Sequence, residues 1–386
     1  MSEIDNKGLA QIRTDVVGSL LRPEHLKAAH SNYDEDKLAA EELRKIEDEA
    51  IRNAVRMQED VGLEVVTDGE YRRLNFQDSF AASVTGFDTR PMSLGFIESL
   101  SREGMPLRRW DAAYDVRDGA AILQRRPVTQ KLRLIRNLPL EEFRFLSQAA
   151  RKPAKITLIG PDRITQRFDF QNSKTVYWSV EDFLADVIRI EREMIRALID
   201  EGCRYVQIDA PSYTAYADEP SLAAMRKRGE DPMKNMAASI KADNELLRLF
   251  DNVTFGIHLC RGNQRSMWHR EGSYDAIAEK LFTELGHDRF LLEYDSPRAG
   301  SFEPLRFVPK GKVVVLGLVT TKVPEIEKID DLKRRIDEAS KYVPLEQLAI
   351  SPQCGFASDV VGNLISEDDQ KQKLEVVVET ARQVWG

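Results

Sequence analysis

The chain has 386 residues, 42% of them hydrophobic and 31% charged, the balance of a globule with a sizeable core. Its 56 basic and 64 acidic side chains leave a net charge of −8, which excludes a general nucleic-acid binder, because phosphate contacts need a basic surface. No apolar run approaches the roughly 18 residues of a membrane helix, and the polar start MSEIDNKGLAQ lacks the apolar core of a signal peptide. Three cysteines make no disulfide framework, so a cytoplasmic location without a membrane partner is expected.

In chain order, short apolar runs alternate with long amphipathic stretches. The run DVVGS (15–19) comes first. Residues 34–61 then predict a helix, with Leu43, Ile46, Ala50, Ala54 and Val61 on one face and Gly62 ending it. LEVVTD (63–68) is the next strand candidate, and after it the rhythm breaks. About 85 residues, 69–154, precede KITLIG (155–160), where a barrel connection needs roughly 20. This stretch is rich in Arg and aromatics (GFDTRPMSLGF, PLRRWDAAYDV) and then basic (QRRPVTQKLRLIRNLP), and is expected to be a substrate-side lid or pocket wall, or else a surface elaboration. Regularity returns with a helix over 179–202, capped by Ser179 and striped by Phe183, Val187, Ile190 and Met194, and with the strand RYVQID (204–209). VTFGIHLC (253–260), RFLLEY (289–294), KVVVLGLV (312–319) and QLAISPQC (347–354) complete eight β-rich runs. Strands alternating with helices imply a parallel sheet, and eight such repeats predict an α/β fold of (β/α)8 TIM-like type, one domain over 1–386. Neither a G-x-G-x-x-G nor a P-loop pattern argues for a nucleotide-binding sheet.

Side chains at the carboxyl ends of barrel strands converge on one site. Here those ends carry Gly18 and Ser19, Asp68 and Glu70, Asp162, Asp209, His258 and Cys260, Glu293, Thr320 to Lys322, and Cys354. His258 and Cys260 are two apart on a strand and so share a face. With Glu293 and Cys354 at matching ends they form a His–Cys–Glu–Cys set suited to tetrahedral zinc. Two thiolates and a carboxylate around Zn²⁺ leave a net charge of about −1, poor for hydrolysis but suited to holding a substrate thiol as an electron-rich thiolate. Cys203, at a strand start, reads as a small core residue.

These residues resemble the C-terminal catalytic barrel of the cobalamin-independent methionine synthase family, and more closely its short single-domain relatives. The likeness runs from V-V-G-S-L-L-R-P to S-P-Q-C-G-F-A-S. It implies zinc held by His258, Cys260, Glu293 and Cys354 to activate homocysteine. It also implies an amino-acid pocket of Val17, Gly18 and Ser19 for the carboxylate, with Glu70 and Asp209 for the ammonium.

The methyl-donor half departs from the pattern. The family's folate-stacking tryptophan falls on Arg167, a folate-contacting glutamate on Ala215, and the histidine proposed as proton donor on Lys322. Lys322 is therefore expected either as a catalytic acid or as an anion-binding lysine. The implied reaction is methyl transfer to homocysteine, from methyltetrahydrofolate or a methyl-corrinoid carrier; a homodimer is compatible with this reading. Two alternatives stand beside it: a thiol transferase of the epoxyalkane–coenzyme M type, whose sulfonate needs cations, and a zinc-stabilised binding barrel without turnover. A decarboxylase-like reading is weaker, since nothing in it needs two cysteines.

Overall fold

A computed structural model describes residues 6–88 and 125–386. An antiparallel hairpin, β1 (Val84–Phe87) with β2 (Val128–Leu134), precedes six parallel strands. These are β3 (Lys155–Ile159), β4 (Tyr205–Asp209), β5 (Thr254–Leu259), β6 (Arg289–Glu293), β7 (Val313–Val319) and β8 (Leu348–Pro352), hydrogen-bonded in sequential order.

The remaining two barrel positions are filled by the runs that carry DVVGS and LEVVTD, but not as regular strands. Thr14 makes a parallel bridge to Ile350 of β8, and Val66 one to Ala154, just before β3. Between these two runs side chains stand in for most of a main-chain ladder, of which the bond from Leu20 N to Gly69 O at 3.1 Å is present. Glu64 Oε2 accepts from Arg13 N at 2.7 Å and Thr14 N at 2.8 Å, and Thr67 Oγ1 donates to Gly18 O at 2.6 Å. The result is the TIM-like α/β barrel expected, with two of its eight staves joined through side chains.

The strands obey period two. Ile156, Leu158, Val206, Ile208, Ile257, Leu292, Val314 and Leu316 join the main hydrophobic core, while Val17, Leu291, Val313, Val315 and Ala349 form a separate small apolar cluster. The alternate positions also hold a buried polar network. Lys155 Nζ donates to Asp15 Oδ1 at 2.7 Å and Gln207 Oε1 at 2.8 Å, Tyr205 Oη donates to Asp15 Oδ2 at 2.7 Å, and Arg289 Nη2 lies 3.3 Å from the same oxygen.

The helix expected over 34–61 starts later than its pattern suggests, at Ala40. One helix ends at Asp34, Asp36 takes φ 57°, and a second runs over Ala40–Asp60 with Leu43, Ala50 and Ala54 buried. A left-handed non-glycine residue interrupts helical hydrogen bonding, which the amphipathic pattern alone does not reveal. The helix Val180–Asp200 follows the expected cap and stripe: Ser179 Oγ accepts from Asp182 N at 3.0 Å. Its Phe183, Val187, Ile190 and Met194 pack in a second core with Phe80, Val84, Val128 and Leu132, so the hairpin clads the outside of the barrel. Of the long excursion, residues 89–124 lie outside the described residues, including most of GFDTRPMSLGF and all of PLRRWDAAYDV. Cys203 is buried, as expected. Among the described residues no helix is long and apolar enough to cross a membrane.

Two consequences for stability follow. Lys155→Met leaves the Asp15 carboxylate buried beside one fewer cation and is expected to cost about 3–5 kcal/mol, measured by urea denaturation. The second concerns Glu191, buried in Val180–Asp200 with neither carboxyl oxygen hydrogen-bonded. Burial, reinforced by Asp243, holds its carboxyl well above the ordinary 4.5. The folded state then binds the extra proton, so the associated stability is complete below pH 4.5 and is lost as pH rises toward the folded value. Stability is expected to fall at up to about 1.4 kcal/mol per pH unit over that window, and Glu191→Gln should flatten the profile.

Candidate metal and substrate cleft

Strand register brings the site together. Asp209, the last residue of β4, pairs with His258 of β5, and His258 pairs with Leu291 of β6. His258 Nδ1 faces Leu291 O at 3.3 Å, which turns Nε2 toward the barrel mouth, where it is buried with no hydrogen-bond partner. Glu293 ends β6; its Oε1 accepts from Arg261 N at 2.8 Å, and Oε2 is likewise buried without a partner. Cys260 Sγ accepts from Gly262 N at 3.2 Å and stands 3.5 Å from Cys354 Sγ. That separation is far beyond a disulfide bond of about 2.05 Å. It is close to the roughly 3.8 Å set by two Zn–S bonds of about 2.3 Å at a tetrahedral angle.

One ligand atom from each of the four residues lies within 4.8 Å of the others. Two orphaned, buried donor atoms and two facing sulfurs are what a tetrahedral N, O, S₂ ion would satisfy, so the residues fit zinc. Contact with Cys354, helped by His258, pulls the Cys260 thiol well below its ordinary value, and the same contact holds Cys354 well above it. Burial and the neighbouring Cys260 push Glu293 up to about 8. Deprotonating all four together therefore needs a cation at their centre.

The expected amino-acid pocket adjoins this cluster. Val17, Ser19, Glu70, Asp209, His258, Cys260 and Cys354 line one cleft of about 610 Å³, counting the space open to solvent. Gly69 and Glu70 adopt φ 71° and 59°, a costly conformation for glutamate that occurs where surroundings enforce it. The enforcing contacts are visible: Arg22 Nη2 donates to Glu70 O at 2.9 Å, and Thr157 Oγ1 donates to Glu70 Oε1 at 2.6 Å. Gly18 lets Glu70 come close, since a Cβ there would fall 2.8 Å from Glu70 Oε1. Gly355 does the same for Ser19, whose Oγ would be 2.1 Å from an added Cβ. Asp209 Oδ1 accepts from Gln207 Nε2 at 2.7 Å, and burial with Glu70 nearby raises its carboxyl to about 7.

Lys322 is placed differently from the other strand-end residues. Its buried Nζ donates to Asn263 Oδ1 at 2.8 Å, Gly262 O at 2.9 Å and Met267 O at 3.3 Å. Asn263 in turn donates to Gly355 O at 2.7 Å and accepts from Asn363 Nδ2 at 2.9 Å. The lysine thus sits in a bracket joining the loops that carry Cys260 and Cys354. Arg167 is buried against a neighbouring pocket with Gln77, Phe80, Phe87 and Arg126, and Ala215 is buried in a 3-10 turn, Pro211–Tyr216.

Sequence reasoning missed Arg163, Asn263, His269, Arg270 and Phe76, all of which line the cleft. His269 packs on the metal loop because Gly262, at φ 102°, has no Cβ; one would lie 2.3 Å from the imidazole. Following the chain past H-L-C-R-G-N to W-H-R-E was the available signal.

Fold and site together make a parallel βα barrel with a His–Cys–Glu–Cys cluster at the carboxyl end of its strands. A profile described as the cobalamin-independent synthase catalytic domain matches residues 12–106 and 125–383, and the chain belongs to that family. It is 36% identical over 379 residues to YxjH of Bacillus subtilis (strain 168), an uncharacterized protein, covering 97% of this chain and 95% of the relative. It is 25% identical over 346 residues to a methionine synthase of Pyrococcus abyssi (strain GE5 / Orsay), covering 89% and 86%. A solved Listeria monocytogenes structure, provisionally named a vitamin-B12 independent methionine synthase, superposes with TM-score 0.71 at 29% identity over 96% and 97% of the two chains. The B12-independent methionine synthase of Shewanella sp. W3-18-1, solved with selenomethionine, shares the fold at TM-score 0.71, 20% identity and 97% coverage of both chains.

Lys322→Met strands three buried acceptors and is expected to cost about 3 kcal/mol in urea unfolding, with weaker zinc retention during dialysis against a chelator. A lysine acting only as a proton donor would instead leave zinc retention unchanged.

Proposed function

We propose that this protein is a zinc-dependent thiol methyltransferase that methylates homocysteine to methionine. The observation that carries the reading is the convergence of His258, Cys260, Glu293 and Cys354 beside an acidic amino-acid pocket. Zinc held there would let a bound thiol shed its proton near neutral pH while remaining nucleophilic.

The chain's own residues do the rest. Glu70 and Asp209 offer carboxylates to an ammonium, and the Val17-Gly18-Ser19 turn offers a hydroxyl and main-chain N–H groups to a carboxylate. Holding both ends of homocysteine orients its sulfur toward the metal cluster and leaves the opposite side of the sulfur open to an in-line methyl donor. Thr157 and Arg22 fix Glu70, and Gln207 fixes Asp209, so the pocket is set before the substrate enters. We assign Lys322 a positioning role, holding the Cys260 loop. We also propose that the chain works as one barrel and that the excursion after the second stave forms part of the cleft wall. Phe76 in support lines the cleft, with its N–H donating to Ser358 O at 3.0 Å. The methyl donor, methyltetrahydrofolate or a methyl-corrinoid, is left to experiment.

A second reading, alkyl transfer to the sulfonate-bearing thiol coenzyme M, is favoured by one observation, the guanidinium groups of Arg163 and Arg270 in the same cleft.

Homocysteine added to the cobalt-substituted protein should produce a sulfur–metal charge-transfer band and release about one proton, coenzyme M should not, and Cys354→Ala should abolish the response. A response to coenzyme M alone sinks the homocysteine reading. Unfolding on metal removal, with no response to either thiol, would favour a purely structural ion.

A further inference from the structure

Glu70 stands at the end of a chain of buried groups that begins on the helix Leu138–Ala149. Glu142 of that helix grips Arg73 by two bonds, from Nε at 2.8 Å and from Nη2 at 2.5 Å. Arg73 Nη2 also donates to Thr157 O at 2.9 Å, and Nη1 donates to Thr157 Oγ1 at 2.8 Å. Thr157, midway along β3, donates through Oγ1 to Glu70 Oε1 at 2.6 Å, and Arg73 Nη1 lies 3.5 Å from the same oxygen. All four side chains are buried.

Chemistry fixes the direction of these bonds. A guanidinium has only donors, so the Thr157 hydroxyl accepts from Arg73 and must send its single proton elsewhere. It sends it to Glu70 Oε1, which is thereby committed as an acceptor. Glu70 lines the cleft, and its other oxygen, Oε2, is buried with no hydrogen-bond partner. One oxygen is held by the protein and the other is left for a ligand. A buried carboxylate with an unsatisfied oxygen is costly unless a cation stands close. Arg73 supplies that cation, and it stays charged because Glu142, followed by Glu70, outweighs the cost of its burial.

We propose that Arg73 is a positioning residue for the amino end of the acceptor: anchored on Glu142, it orients the Thr157 hydroxyl onto Glu70 Oε1 and leaves Oε2 for a primary ammonium. This rests on the homocysteine reading and deepens it, because selection for the α-amino group becomes a property of the whole buried chain and not of Glu70 alone. A buried ion pair adds little net stability over apolar packing of the same volume, whereas a fixed hydroxyl and a single free oxygen define where an ammonium sits. The chain also ties the cleft to the excursion after the second stave, to which Glu142 belongs.

The test titrates the cobalt-substituted protein with homocysteine and with γ-mercaptobutanoate, the same thiol acid without its amino group, and follows the charge-transfer band. The wild-type protein should prefer homocysteine by about tenfold or more. Thr157→Val and Arg73→Lys should each weaken homocysteine binding by about tenfold and γ-mercaptobutanoate binding by less than about twofold. The double variant should lose no more than the stronger single one, since both act through the same oxygen. Thr157→Ser, which keeps the hydroxyl, should keep the preference. Should Arg73→Lys fail to fold, the two Thr157 variants decide. Four results overturn the proposal: no preference in the wild-type protein, parallel losses for both thiols as a merely structural role gives, additive losses in the double variant, or full preference in folded Arg73→Lys. No band with either thiol overturns the homocysteine reading instead, and calorimetry with methionine then decides the role of Arg73. That role stands if methionine binds and both substitutions weaken it, and falls otherwise.

Discussion

The rest of the structure depends on how Asp15 is held. A carboxylate taken wholly out of water is expensive unless it is paired and hydrogen-bonded on every side. Here Lys155, Tyr205 and Arg289 converge on it from β3, β4 and β6. These contacts fix the first stave inside the sheet at a place where the main-chain ladder is incomplete. The grip also extends upward. Lys155 bonds to Gln207, and Gln207 donates to Val17 O and to Asp209, both at 2.7 Å. The barrel floor and the acidic wall of the cleft therefore belong to one polar chain, and the orientation of Asp209 follows from the way the barrel closes.

A second bracket works at the mouth. Cys260 and Cys354 lie on loops remote in sequence, yet their sulfurs are 3.5 Å apart. Lys322, Asn263 and Asn363 span those loops with buried hydrogen bonds, and Thr321 Oγ1 adds one to Gly355 O at 3.2 Å. Such a bonded network holds the two cysteine-bearing loops at a fixed separation. Three glycines serve the same end by lacking a Cβ: Gly18 admits Glu70, Gly355 admits Ser19, and Gly262 admits His269.

Much of this was legible in the sequence, for identifiable reasons. Strand periodicity put His258 and Cys260 on one face, and the recurrence of βα units located Asp209, Glu293 and Cys354 at one end of a barrel. The irregularity of the first two staves was hidden because the groups that replace the ladder, Glu64 and Thr67, look like ordinary strand residues. Asp36, in left-handed geometry, hid the true start of the first long helix for a similar reason. The position of Lys322 was readable, but the direction of its flexible side chain was not; that is decided by the carbonyls of a loop fifty-odd residues earlier in the chain. Arg163, His269 and Arg270 escaped because loops have no period, and only the folded chain shows which of their residues turn inward.

The side-chain fastening of the first two staves gives the barrel a seam. A closed sheet has no free edge from which to unravel, but main-chain ladders run continuously only from β3 to β8. The wall has fewest main-chain hydrogen bonds where Glu64, Thr67 and Gly18 meet, and local opening is expected to begin there. Closing the circle at this seam is what sets Ser19 and Glu70 in the same cleft as Asp209 and His258. The His–Cys–Glu–Cys cluster lies on the arc or just beyond its strands, whereas Val17, Ser19 and Glu70 lie along the seam. The two parts of the candidate site therefore stand on parts of the wall that are fastened differently, one by main-chain ladders and the other largely by side chains.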